Sequence, residues 1–210
     1  MSTLEQSDRE KRHYTFYKEN LEKYSPFSVK ALRWNSKESQ LARFNSLLRI
    51  GSYNNSSILD VGSGISDLYF FLKDKGFSNF RYTGIEIIKE FFEVAKNKLQ
   101  KYPECKLIKG DFFTYQFIEK YDITICNGSL NLKEENNYNV LKNFIEKSYK
   151  ITKKAIGITL LKNAEGYIED KNLFHYSETM VEKLIKTMNI KNYKIYSDYI
   201  DNDFTLIIWI

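Results

Sequence analysis

The chain has 210 residues, 42% hydrophobic and 28% charged, which suits one globular domain with its own core and excludes a mainly disordered protein. No run approaches the roughly 18 apolar residues of a membrane span, and the charge-dense first twenty residues lack the apolar centre of a signal peptide, so a cytoplasmic protein with no membrane partner is expected. The formal charge of +5 sits mostly in residues 1–50, with ten Lys/Arg against six Asp/Glu, too small an excess to favour bulk nucleic acid as a partner.

Those first fifty residues carry apolar positions at helical spacing: Tyr14, Tyr17 and Leu21, then Leu41, Phe44 and Leu48. Three helices are expected. Ser25 with Pro26 begins one, and Asn35 with Glu38 three residues later forms a capping box for another that stops at Gly51. From Ser57 the pattern changes to short apolar runs alternating with amphipathic segments, the mark of parallel strands joined by crossover helices. Strands are expected at 58–61, 82–85, 106–108, 122–126, 155–161, 194–199 and 204–209, with helices near 67–75, 89–101, 138–151 and 177–188. The last two strands are too close in sequence for a crossover and must pair antiparallel. The expected fold is α/β: a doubly wound, Rossmann-like seven-stranded sheet in residues 51–210, preceded by a helical extension, 1–50, that could serve as a lid.

The chemistry concentrates in Ile58-Leu59-Asp60-Val61-Gly62-Ser63-Gly64-Ile65-Ser66-Asp67, a strand, a glycine turn and a helix start. Gly62 and Gly64 let a ligand approach the main chain. A dinucleotide fingerprint needs Gly or Ala at the sixth position of G-x-G-x-x-G, and Asp67 stands there. A carboxylate at the helix start and another at Asp60 would repel a pyrophosphate. They suit a cationic ligand without phosphate, such as S-adenosylmethionine. Glu86 ends the second strand, where an acid takes ribose hydroxyls. Asp111 follows the third, where it could accept an adenine amino group while Ile87 or Phe112 covers the ring. Cys105 and Cys126 supply neither a disulfide framework nor a zinc spacing, and no metal site is expected. Cys126 lacks a recognisable activating base and reads as core.

In Leu59-Asp60-Val61-Gly62-Ser63-Gly64, Gly84-Ile85-Glu86, Gly110-Asp111 and Tyr121-Asp122-Ile123, the sequence resembles the class I S-adenosylmethionine-dependent methyltransferases over roughly residues 55–210. Ser66 departs from a position often occupied by Gly. The resemblance implies a cofactor site of Asp60, Gly62, Gly64, Glu86, Ile87, Asp111 and Phe112, with Asn127 and Gly128 holding the methionine portion. The loop Cys126-Asn127-Gly128-Ser129-Leu130-Asn131 is not the Asn-Pro-Pro-Tyr clamp of amino-methylating enzymes in this family, which disfavours adenine and glutamine amides as acceptors. The stretch Trp34-x-Ser36-x-x-Ser39-Gln40-x-x-Arg43-Phe44 is similar to one in small bacterial-type members, with Arg43 free to pair with the cofactor carboxylate or a surface acid.

Methyl transfer is an in-line displacement that needs positioning and, for a hydroxyl or protonated amine, a base. His175 is the first candidate base, ahead of Tyr176, Tyr199 and Asp203. Tyr14, Tyr17, Trp34, Asn131 and Tyr199 are the expected substrate contacts. The acceptor is expected to be oxygen or nitrogen of a small polar metabolite, including phosphorylated or nucleotide-activated ones. An RNA acceptor, or cofactor binding without catalysis, remain the other readings. Oligomeric state is not legible.

Overall fold

A computed structural model describes residues 8–164 and 170–210. Seven strands form one sheet in the order β3-β2-β1-β4-β5-β7-β6. They are β1 (Ser57–Val61), β2 (Arg81–Glu86), β3 (Cys105–Lys109), β4 (Tyr121–Asn127), β5 (Thr152–Leu161), β6 (Tyr193–Tyr196) and β7 (Asp203–Trp209). The helices are α1 (Asp8–Lys23), α2 (Lys37–Leu47), α3 (Asp67–Asp74), α4 (Lys89–Leu99), α5 (Asn137–Ile151) and α6 (Glu178–Thr187). Pairing is parallel from β3 through β5, while β7 runs antiparallel between β5 and β6. Strand order reverses direction between β1 and β4, which leaves a crevice at the carboxyl ends of the central strands. Among the described residues no helix is long and apolar enough to cross a membrane.

Side-chain alternation along the buried strands feeds two cores. Ile58, Ile123 and Ile125 pack with Phe44 and Leu47 of α2 and Leu68, Tyr69 and Leu72 of α3 on one face. Leu59, Ile156, Ile158 and Leu206 pack with Leu141, Phe144 and Ile145 of α5 and Val181 and Ile185 of α6 on the other. A smaller cluster at the crevice mouth joins Tyr14, Tyr17 and Leu21 of α1 to Phe91 and Val94 of α4.

The N-terminal segment departs from expectation in three ways. Residues 25–34 form successive turns rather than a helix. The capping box is Ser36 with Ser39, each side chain bonding the other's backbone, rather than Asn35 with Glu38. Finally, α2 is a core helix: a Cβ on Gly157 of β5 would meet Leu47 and Ile50 at 2.8 and 2.7 Å. Residues of α1, of the turns 25–34 and of α2 (Gln40, Arg43 and Phe44) all border the crevice at the strand ends.

Candidate functional site

The turns that follow β1, β2 and β3 are tied to one another by main-chain bonds. Gly62 and Ser63 N–H donate to the Ile85 carbonyl at 2.9 and 3.2 Å, and Gly110 N–H donates to the Glu86 carbonyl at 2.9 Å. Gly62 (φ 68°) and Gly64 (φ 54°) are left-handed, a conformation that favours glycine. At Gly62 there is no room either, because a Cβ would lie 2.4 Å from that of Ser129 in the loop after β4.

Glu86 is buried at the end of β2, with one carboxylate oxygen accepting from Gly64 N–H and the other from Ile88 N–H, both at 2.7 Å. Burial pushes its carboxyl upward against these two bonds. Asp60 is also buried and accepts from Tyr82 Oη at 2.6 Å; desolvation pushes its carboxyl up to about 7. The Asp111 carboxylate accepts from Phe113 N–H at 3.0 Å and has Arg9 Nε 3.7 Å away. On β4, Asn127 Oδ1 accepts from Thr159 Oγ1 at 2.7 Å, and in the loop that follows Asn131 Oδ1 accepts from Leu161 N–H at 3.0 Å.

These residues share a cavity of about 510 Å³, within the range of small-ligand and cofactor pockets. All ten residues expected to hold a cofactor line it, as do Tyr17, Trp34, Asn131 and His175. Trp34 closes over Gly128, where a Cβ would sit 3.0 Å from the indole, and Arg43 stacks on the same ring at 4.7 Å. Cys126 is buried and its thiol is pushed up to about 12 by desolvation, which leaves it inert.

Several expected residues lie elsewhere or are engaged. The Arg43 side chain, although it borders the cavity, is paired through Nε with buried Asp203, so its charge is already compensated. Burial pushes the Asp203 carboxyl up to about 6, with Arg43 opposing the shift. Tyr199 lies outside the cavity lining, its hydroxyl donating to Asp203 at 2.7 Å and within 2.8 Å of Thr205 Oγ1. Tyr14 is half-buried against the α4 cluster and does not line the cavity. Of the four candidate bases, Tyr176 is buried with its hydroxyl donating to the Leu130 carbonyl, Tyr199 and Asp203 belong to the Arg43 network, and only His175 borders the cavity.

The lining residues without a role assigned by sequence pattern include Arg9, His13, Phe16, Gln40 and Ser63. Arg9, His13, Phe16, Tyr17, Asn20 and Tyr24 form one stripe along α1 and just beyond it at helical spacing. That polar and aromatic stripe is the signal by which the sequence marks them. Arg9 is held by Glu134 at 2.9 Å and stacks on Phe113 at 4.5 Å, while Arg33 is held by Asp170 at 2.6 Å.

A family model described as "Methyltransferase domain" matches residues 52–195. A comparison with curated protein sequences finds no significant match. Among solved structures, the chain is similar to a SAM-dependent methyltransferase from Aquifex aeolicus, with TM-score 0.67 and 16% identity over 89% of this chain and 99% of that one. It is also similar to magnesium protoporphyrin IX methyltransferase from Synechocystis with bound S-adenosylhomocysteine (TM-score 0.68, 14% identity, 97% and 99% covered). A third is phosphoethanolamine N-methyltransferase 2 of Haemonchus contortus in complex with S-adenosylmethionine (TM-score 0.60, 14% identity, 73% and 37% covered). At these identities the likeness is one of fold.

Proposed function

The chain belongs to the methyltransferase-domain family, and from that premise we propose that it transfers a methyl group from S-adenosylmethionine to oxygen or nitrogen of a small polar acceptor. The observation that carries this reading is the placement of Glu86: a buried carboxylate beside a left-handed glycine turn, in a cavity that continues to Asp111 on one side and Asn127 on the other.

The residues present fit this cofactor. Three buried polar atoms of cavity-lining residues, His13 Nε2, Gln40 Oε1 and Ser63 Oγ, have no partner within the protein, which is a costly state unless a ligand satisfies them. The lining carboxyls of Asp60, Glu86 and Asp111 oppose a pyrophosphate and favour a cationic, phosphate-free nucleoside. Glu86 would hold the ribose hydroxyls, Asp111 the adenine amino group between Ile87 and Phe112, and Asn127, Gly128 and the Gly62–Gly64 turn the amino-acid end. When bound, the cofactor supplies a methyl group made electrophilic by its sulfonium.

The chain's own contribution is then to hold the acceptor in line and exclude water. Trp34 over Gly128, with Asn131 and His175, forms the wall available to the acceptor, and His175 takes the acceptor's proton. The acceptors named for the solved neighbours differ widely and do not transfer to this chain. An uncharged acceptor fits better than a phosphorylated one, because the Arg9, Arg33 and Arg43 guanidinium groups are already neutralised by Glu134, Asp170 and Asp203.

Calorimetry tests the reading: S-adenosylmethionine and S-adenosylhomocysteine should bind at micromolar affinity. Glu86→Ala should weaken both by about ten- to a hundredfold, the worth of hydrogen bonds to a charged group. Unchanged affinity in that variant would refute the assignment.

A further inference from the structure

Two of the three unpartnered atoms at the cavity, His13 Nε2 and Gln40 Oε1, come from the segment before residue 52, outside the stretch matched by the methyltransferase family. Both side chains are more than nine-tenths buried, at 6% and 2% exposure. Their positions along the strand ends differ. One turn before His13, Arg9 reaches Asp111 after β3 and stacks on Phe113; one turn after it, Tyr17 packs edge-on against Phe91 of α4, 5.3 Å between ring centres, just beyond β2. His13 therefore stands over the interval between Asp111 and Glu86. Gln40 stands at the turn after β1 instead, where its Nε2 donates at 3.2 Å to Asp67, the first residue of α3. Lys98 holds the other oxygen of Asp67 at 2.5 Å. This orients the Gln40 amide, with one N–H engaged and its buried acceptor, Oε1, without a partner in the protein.

We infer that the N-terminal segment completes the cofactor site with two uncharged posts, His13 bonding the nucleoside half and Gln40 Oε1 accepting from the ammonium of the amino-acid tail. The inference rests on the cofactor reading above. A ligand with its nucleoside at the ends of β2 and β3 must place its other end at the glycine turn after β1, because those strands are adjacent in the sheet. Neutrality matters at both posts. Burial together with Arg9 and Arg12 pushes the His13 imidazole down to about 3, so it adds no positive charge against a sulfonium. Gln40 is uncharged and presents the carbonyl oxygen that an ammonium needs.

The test is calorimetry on the full chain with two probes, S-adenosylhomocysteine and 5′-methylthioadenosine, which keeps the nucleoside and lacks the amino-acid tail. If the wild-type protein binds neither, the cofactor reading itself fails. If it binds them, Gln40→Leu should weaken S-adenosylhomocysteine about tenfold or more and leave 5′-methylthioadenosine within twofold. His13→Phe should weaken both probes by a similar factor, about three- to tenfold. An unchanged ratio of the two affinities in Gln40→Leu, or an unchanged 5′-methylthioadenosine affinity in His13→Phe, overturns the inference. Nitrogen-resolved NMR on the wild-type protein probes the same two contacts without risk to folding. The Gln40 side-chain amide should shift with S-adenosylhomocysteine and not with 5′-methylthioadenosine, and His13 Nε2 should shift with both; failure of either pattern overturns the assignment.

Discussion

The wall of the cavity built by the turns after β1, β2 and β3 is held through backbone N–H groups: two donate to the Ile85 carbonyl, one to the Glu86 carbonyl, and two to the buried Glu86 carboxylate. The wall built by α1 and residue 170 is held by side chains, with Glu134 taking Arg9 and Arg12 at 2.9 Å each, Glu10 taking Lys109 at 2.7 Å, and Asp170 taking Arg33 at 2.6 Å. The first wall cannot shift without breaking several of these buried bonds. The second can, because each partly exposed ion pair contributes about 1 kcal/mol or less and is screened by salt. On the function proposed above, the rigid backbone would face the cofactor and the adjustable side chains would cover it.

The sharpest way to break this contrast is Gly62→Ala. Left-handed strain costs about 1–3 kcal/mol, and the contact with Ser129 adds to it. Melting should fall by about 5–10 °C for a chain of this size, and S-adenosylhomocysteine affinity should drop more than a hundredfold; a variant that binds normally would mean the turn is not rigid.

A pH-dependent effect is expected at Asp60, whose carboxyl rises from 3.8 to about 7 through burial. The folded state keeps a proton that the unfolded chain loses, so this group's contribution is fully present below pH 4 and is lost as pH rises toward 7. The rise corresponds to at most about 4 kcal/mol. Asp60→Asn keeps an acceptor for Tyr82 Oη and should flatten that slope, melting higher than wild type at pH 8 and no higher at pH 4. Equal slopes in parallel melts across that range would contradict the assignment.

The smallest expected effect is at the side-chain wall. Glu134→Gln should lower melting by no more than about 3 °C, yet speed amide exchange across residues 8–23 while leaving β1 and β2 protected. Slowed or unchanged exchange in α1 would show that it is fixed by its apolar contacts with α4 instead.

Legibility in the sequence follows the same division. The seven strands, the glycine turn and the strand-end acids Glu86 and Asp111 can be read because each depends on residues within one strand–turn–helix unit. The partner that Arg43 finds, Asp203, lies 160 positions away, and local pattern contains nothing of such a pairing. Tyr199 is drawn into the same buried network for the same reason. His13 escapes notice because a histidine among charged residues reads as solvated until a cover places α1 over a crevice. The expected helix at Ser25 fails on residues 25–34, where successive turns carry the chain from α1 to α2.

The contact between α2 and β7 has a consequence for how the chain comes to be folded. Arg43 meets Asp203, Ser46 meets Thr205, and Trp209 Nε1 donates to the Ile50 carbonyl, so a helix made early in synthesis finds its strand only some 160 residues later. Contacts of such separation form late, since the loop must close before they contribute. Until β7 has cleared the ribosome, a buried arginine lacks its counter-charge and one edge of β5 lacks a neighbour. A nascent chain in that state exposes an unpaired strand edge, the surface that holding chaperones recognise.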